Sequence, residues 1–281
     1  MPTRYAGVEA DPRMKNRPDF LLIGAQKCAT TWLHRQVAQH PDVFMAPAKD
    51  TAWFFWERTR GQSEYWEQFR QAKAAAIGET SAAYFWTRTG SPWDNHPDGC
   101  ERDIAARIVH ELGHDCRYIV TLRDPVDRAL SAYLHHLRTG DLATDDPIEE
   151  CLGEHGIVDI GLYAQHLENW LKHVSHDQIL LINFYDICHD PRSVMRSVFR
   201  FLEIEDNCDS QGLEQPAFPG ADRRWMSNRL LVKLPGLESE LEVANEQTVH
   251  ALRSIFRPDA TRLANYAGEA FVKRWQTVAA A

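Results

Sequence analysis

Short apolar runs and amphipathic stretches take turns along this chain, and their order predicts its architecture. The runs fall near 19–24, 76–79, 117–122 and 178–184 and read as buried strands. Between and after them, apolar positions recur at helical spacing over roughly 31–40, 102–112, 125–138, 161–174, 191–202, 238–256 and 259–278. Strands alternating with helices predict an α/β fold, a mainly parallel sheet flanked by helices in three layers. Pro and Gly mark the region 87–101 as a loop, and a second loop spans about 205–222. No shift in composition divides the body, so a single domain over 18–281 is expected. Residues 1–17, mixing charge with proline, read as a disordered lead-in.

The first strand is followed at once by the most informative segment, Gly24-Ala25-Gln26-Lys27-Cys28-Ala29-Thr30-Thr31-Trp32, which leads into a helix. A helix N-terminus presents unpaired backbone N–H groups and the positive end of a dipole. Lys27 adds a full charge, and Thr30 and Thr31 add hydroxyls. Such a strand–loop–helix unit suits a phosphate-like anion and makes the fold P-loop-like. The spacing is not that of a Walker A loop, which has four residues between its first Gly and a Gly-Lys-Ser/Thr end. That difference counts against a P-loop kinase.

The strand at 117–122 ends in a second polar group. Asp124 can cap the next helix and Pro125 suits its first turn. Arg123, Arg128 and Ser131 then gather near one another, and a guanidinium fork beside a hydroxyl matches a phosphate monoester.

Together the two segments resemble the sulfotransferases that use 3′-phosphoadenosine 5′-phosphosulfate (PAPS), especially their carbohydrate-type and bacterial branch. The first is similar to that family's G-x-x-K-x-G-T-T loop, with Ala29 where Gly is usual, which implies that the backbone there need not take positive φ. Arg123 to Tyr133, R-D-P-x-x-R-x-x-S-x-Y, is similar to its 3′-phosphate site. The resemblance implies that Gln26 to Trp32 hold the 5′ end of the donor, with Lys27 at the leaving group. It implies that Arg123 and Ser131 hold the 3′-phosphate while Arg128 braces the helix. Gly161-Leu162-Tyr163 resembles a turn that brings Tyr163 to the nucleotide, and Arg223-Arg224-Trp225 resembles a loop that closes over it. Lys49-Asp50-Thr51-Ala52-Trp53-Phe54 is similar to K-E-x-x-F-F, which puts Asp50 in the place of the general base. A register shifted by one would put Thr51 there instead. His135 and His136, on the helix that carries Ser131, are the alternative bases. The implied reaction moves a sulfuryl group from PAPS to a hydroxyl or amine of a small molecule or glycan, without a metal, leaving adenosine 3′,5′-bisphosphate. A chain lacking the base would bind that nucleotide without catalysis.

One rival motif stands in the sequence. His110-Glu111-Leu112-Gly113-His114 matches H-E-x-x-H, the signature of zinc metalloproteases. Gly113 and the strand expected from 117 leave its helix too short to carry a catalytic face, and its place at the amino end of that strand is away from the expected cleft.

The formal charge of −9 argues against general nucleic-acid binding, which wants a basic face. Six cysteines without a C-x-x-C pair favour neither a disulfide scaffold nor a zinc ribbon. With no apolar run long enough to span a bilayer and no visible secretory leader, the expected setting is cytoplasmic. The aromatic residues at 53–56, 65–66 and 85–86 could line an acceptor pocket or simply fill core.

Overall fold

A computed structural model describes residues 16–56, 62–206, 211–213, 222–226, 228–233 and 240–278. Five parallel strands form the centre: β1 (Phe20–Gly24), β2 (Val43–Met45), β3 (Ala76–Thr80), β4 (Arg117–Leu122) and β5 (Ile179–Asn183), in the order β2-β3-β1-β4-β5. The helices are α1 (Thr30–Val37), α2 (Gln62–Glu67), α3 (Ile104–Leu112), α4 (Pro125–Thr139), α5 (Tyr163–Trp170), α6 (Phe184–His189), α7 (Pro191–Phe201), α8 (Glu246–Ala267) and α9 (Glu269–Val278). The α/β class read from the sequence holds.

Strand periodicity explains the layers. Side chains alternate across a strand, so β1 sends Leu21 and Ile23 to one face and Phe20 and Leu22 to the other. The first face packs with Ile104 and Ile108 of α3 and Tyr163, Leu167 and Trp170 of α5. The second packs with Trp32, Leu33 and Val37 of α1 and Val194, Met195 and Val198 of α7. Both faces are covered, which is why the strands are apolar throughout rather than alternating.

The last third of the chain departs from the reading. Residues 222–245 carry an antiparallel sheet, β6 (Asp222–Met226), β7 (Arg229–Lys233) and β8 (Leu241–Asn245), where a loop and the start of a helix were expected. It packs with α4 and α8 around Leu230, Val232, Val243, Leu130 and Leu134. The two helices expected at 238–256 and 259–278 are redivided, because Pro258 sits inside an unbroken α8. Proline removes one helical hydrogen bond, but the turn around it is anchored from both sides. Phe256 and Leu263 are buried, and Asp259 accepts from the backbone N–H of Ala164 and Gln165 at 2.8 and 3.2 Å. The expected disordered segment, 1–17, lies outside the described residues except for its end, where Asn16 donates to the carbonyls of Arg70 and Ala72.

Candidate active site

The carboxyl ends of β1 and β4 diverge into separate crossovers, and in such sheets that crevice is where ligands bind. Gly24 pairs with Val120, so the two anion-binding segments of the sequence lie side by side. Ala25 N donates to Thr121 O at 2.9 Å and Thr121 Oγ1 donates to Gly24 O at 3.2 Å, tying the loops at their roots. Gly24 itself has φ +154°, and a Cβ there would stand 2.6 Å from Phe85 Cβ. Only glycine fits.

Beyond Gly24 the backbone coils to aim its amides. Lys27 has φ 68° and Ala29 φ 70°, both left-handed. The expectation for Ala29 is therefore wrong. The loop keeps the glycine-like conformation and bears the Cβ penalty, roughly 1–2 kcal/mol. Ala29 is the N-cap of α1 and offers no capping side chain. The first-turn amides, including those of Thr30, Thr31 and Trp32, thus lack the side-chain partner that Asp103, Asp124, Asp190 and Asn245 give α3, α4, α7 and α8.

Two residues expected at the nucleotide turn their side chains away. Trp32 is buried and its Nε1 donates to Leu213 O at 3.2 Å. Cys28 is fully buried, its Sγ 3.7 Å from the Tyr163 hydroxyl, and burial pushes its thiol pKa up. Tyr163 is also buried. The side chains of Cys28 and Tyr163 therefore pack against each other in the core beside the first loop. Lys27, Thr31 and Gln26 are half-buried on the loop, and Thr30 is buried at the first turn of α1.

At the second segment, Asp124 Oδ1 accepts from the N–H of Val126 and Asp127 at 2.9 and 3.2 Å, capping α4. Burial first, then Asp127, raises its pKa to about 6. The Arg123 guanidinium lies 4.8 Å from the centre of the Phe184 ring and reaches Asp127 at 3.3 Å. Its Nε is buried without a partner among the described residues. A buried N–H left in that state is costly, and an anion in the crevice would satisfy it. Arg128 is fully buried and donates to the carbonyls of Gly156 and Ile157. It braces α4 against the 151–158 turn, as the sequence implied. Ser131 is half-buried two turns into the helix.

Asp50 sits opposite, at φ 57°. Its Oδ1 accepts from Ala82 N at 3.1 Å, its Oδ2 pairs with Lys49, and its side chain is 51% exposed. Thr51 is committed elsewhere: its hydroxyl donates to Glu79 at 2.7 Å. That favours the register with Asp50 in the carboxylate position. Glu79, which the sequence reading did not single out as a site residue, is a fully buried carboxylate held by the hydroxyls of Thr51, Tyr65 and Tyr84. Burial raises its pKa and those hydroxyls oppose the rise. His34 was also missed. It lies near Lys49 and Asp50 and bonds Thr80 Oγ1 at 2.9 Å, and burial, then Lys49, lower its pKa.

His135 and His136 lie within electrostatic reach of Lys27. Burial, then Lys27, lowers the His135 pKa from 6.5 to about 4. His136 Nδ1 is 2.9 Å from Asp141 Oδ2, and its ring stacks on His155 with centroids 4.5 Å apart. Arg223 and Arg224 fall on β6, where side chains lie outside the described residues.

The zinc motif does not assemble. α3 ends at Leu112, Gly113 turns at φ 84°, and His114 lies past the helix, off the face of His110. Glu111 pairs with Arg107 at 3.0 Å. Among the described residues no helix is long and apolar enough to cross a membrane.

A family model described as the sulfotransferase domain matches residues 17–214. Carbohydrate sulfotransferase 15 of Homo sapiens is 26% identical, the alignment covering 94% of this chain and 56% of the relative. Heparan sulfate glucosamine 3-O-sulfotransferase 3B1 of Mus musculus is 29% identical, over 68% of this chain and 47% of the relative. The chain thus spans about half the length of the curated relatives it matches. A sulfotransferase structure from Alicyclobacillus acidocaldarius superposes with a TM-score of 0.64 at 24% identity, covering 89% of this chain and 95% of that one, and shows the same fold.

Proposed function

The chain belongs to the sulfotransferase family, and we propose that it transfers the sulfuryl group of PAPS to a hydroxyl or amine of a small-molecule or glycan acceptor. The observation that carries this reading is the pairing of two unlike anion sites on adjacent strands. An uncapped helix N-terminus with Lys27 follows the strand next to that of Arg123, whose buried Nε has no partner among the described residues. The residues fit a nucleotide with phosphate at both the 5′ and 3′ positions.

PAPS supplies an activated sulfuryl group, and the protein's part is to position it and neutralise charge, by analogy with phosphoryl transfer. The amides of Thr30 and Thr31 and their hydroxyls hold the 5′-phosphate. Arg123 and Ser131 hold the 3′-phosphate. Lys27 offsets the charge that develops on the departing phosphate oxygen. A carboxylate or imidazole on the acceptor side, Asp50 or His136, takes the acceptor's proton. Glycan acceptors are supported by what the two named relatives modify. A reducing, cytoplasmic setting belongs to the same proposal, supported by the five cysteines of the described residues being free thiols.

The test is ligand-specific stabilisation followed by turnover. Adenosine 3′,5′-bisphosphate should raise the Tm in a concentration-dependent way, and ATP with Mg²⁺ should do much less, because only a ligand of the native state shifts unfolding. Labelled PAPS offered to pools of glycans and small alcohols should then yield labelled product, and Lys27→Ala should abolish most of it. A larger Tm rise with ATP–Mg²⁺ would replace this reading with a kinase. Bisphosphate binding without transfer across all pools would leave only a nucleotide-binding role.

A further inference from the structure

The last turn of α4 ends in a polar arrangement that the two anion sites leave unused. Gly140 closes the helix at φ 79° and turns Asp141 back under it. Asp141 Oδ2 then accepts from Thr139 Oγ1 at 2.6 Å and stands 2.9 Å from His136 Nδ1. A carboxylate can only accept, so the hydrogen of the imidazole sits on Nδ1 and Nε2 keeps its lone pair. Nε2 is buried and has no partner among the described residues.

From this juxtaposition we propose that His136 is a catalytic residue whose Nε2 accepts the proton of the sulfuryl acceptor, with Asp141 as the positioning residue that fixes its tautomer. The inference rests on the sulfuryl-transfer reading and decides between the two bases left open there. As the acceptor oxygen or nitrogen bonds to sulfur, the bond from sulfur to the donor's phosphate oxygen breaks. The acceptor's proton passes to Nε2, and the departing oxygen carries its negative charge beside Lys27. The imidazolium so formed is stabilised by Asp141 and later returns its proton to water.

The surroundings suit that task. His136 faces Asp141 from the following turn, His155 from the 151–158 turn and His135 on its own helix, and the charge of Lys27 on the β1 loop acts on it from further off. Burial lowers its pKa against the opposing pull of Asp141, which favours the neutral ring. Asp141 is held below the usual carboxylate range, first by the Thr139 hydroxyl and then by His136, and so stays ionised. Asp50 offers a poorer lone pair, since both of its oxygens are engaged and its side chain is half-exposed.

Two measurements test the proposal. The first needs no turnover: in protein labelled with ¹⁵N-histidine, long-range ¹H–¹⁵N NMR at pH 7 should show His136 as the Nδ1–H tautomer. In Asp141→Asn that preference should weaken. An Nε2–H tautomer or an imidazolium in the wild type would overturn the proposal, because no lone pair would then be available.

The second follows bisphosphate release from saturating PAPS with desulfated heparan sulfate or water as acceptor. His136→Gln should lower kcat by about 10²-fold or more, in the range of general-base removal. Asp141→Asn should lower kcat by a smaller factor with KM unchanged. Wild-type kcat in His136→Gln would overturn the assignment. If the wild-type protein neither binds the bisphosphate nor consumes PAPS, the sulfuryl-transfer reading fails first, and the tautomer decides whether the dyad itself exists.

Discussion

The two proposed anion sites are built for one end by opposite means. The β1 loop is built from backbone: its donors are amides, their aim is set by left-handed φ at Lys27 and Ala29, and its neighbours press directly on the chain at Gly24. The β4–α4 site is built from side chains, with Arg123 lying on Phe184, held by Asp127, and with its Nε unpartnered among the described residues. A backbone site should break when an atom is added, and a side-chain site when one is taken away. The mutational predictions follow from that contrast.

Gly24→Ala should have the largest effect and should strike stability. A methyl 2.6 Å from Phe85 Cβ at φ +154° combines overpacking with backbone strain, on the order of 2–6 kcal/mol together. Denaturant unfolding measures it, and a loss below about 1 kcal/mol would mean that the loop yields more easily than its packing implies. Arg123→Ala should leave stability nearly unchanged but weaken adenosine 3′,5′-bisphosphate by roughly 10–100-fold, the value of a charge-assisted bond. Affinity for adenosine 5′-phosphosulfate, which lacks the 3′-phosphate, should fall far less. Equal losses for both ligands would make Arg123 part of the scaffold.

A subtler difference lies in pH. His135 binds its proton less readily folded than unfolded, about 4 against 6.5. Between those values the unfolded chain therefore takes up more protons, and stability falls as the pH drops through that window. His135→Gln should flatten this part of the stability profile, and an unchanged slope would place the acid-sensitive group elsewhere. The smallest effect is expected from Ala29→Gly. Relief of the left-handed Cβ clash is partly offset by the extra freedom of glycine in the unfolded chain. A gain of up to about 1 kcal/mol should be seen in the unfolding midpoint, and a loss would show that the Ala29 methyl packs usefully.

What the sequence disclosed follows the same division. Both proposed sites could be named because anion recognition demands particular residues at fixed spacing, and the central strands were legible because burial on both faces leaves continuous apolar runs. The φ of Ala29 was not legible, since an alanine carries no mark of a left-handed conformation. Glu79 was not singled out as a site residue because its meaning depends on hydroxyls from Thr51, Tyr65 and Tyr84, which the fold brings to it. The His135–His136 pair was visible, but its tautomer depends on an aspartate reached only after the helix has turned at Gly140. The β6–β8 sheet hid in short strands of mixed polarity. The spans 238–256 and 259–278 left a break at 257–258 that α8 does not have, because local pattern knows nothing of Asp259 holding α5.

The pairing of Gly24 with Val120 has a mechanical consequence. Segments roughly a hundred positions apart in the chain end on neighbouring strands, so a ligand gripping both would act as a removable crosslink across that span. It would couple the opening of the β1 loop to that of the β4–α4 junction, merging two local unfolding units into one. Amide hydrogen exchange at both segments should then slow together when the bisphosphate binds, and by the same factor.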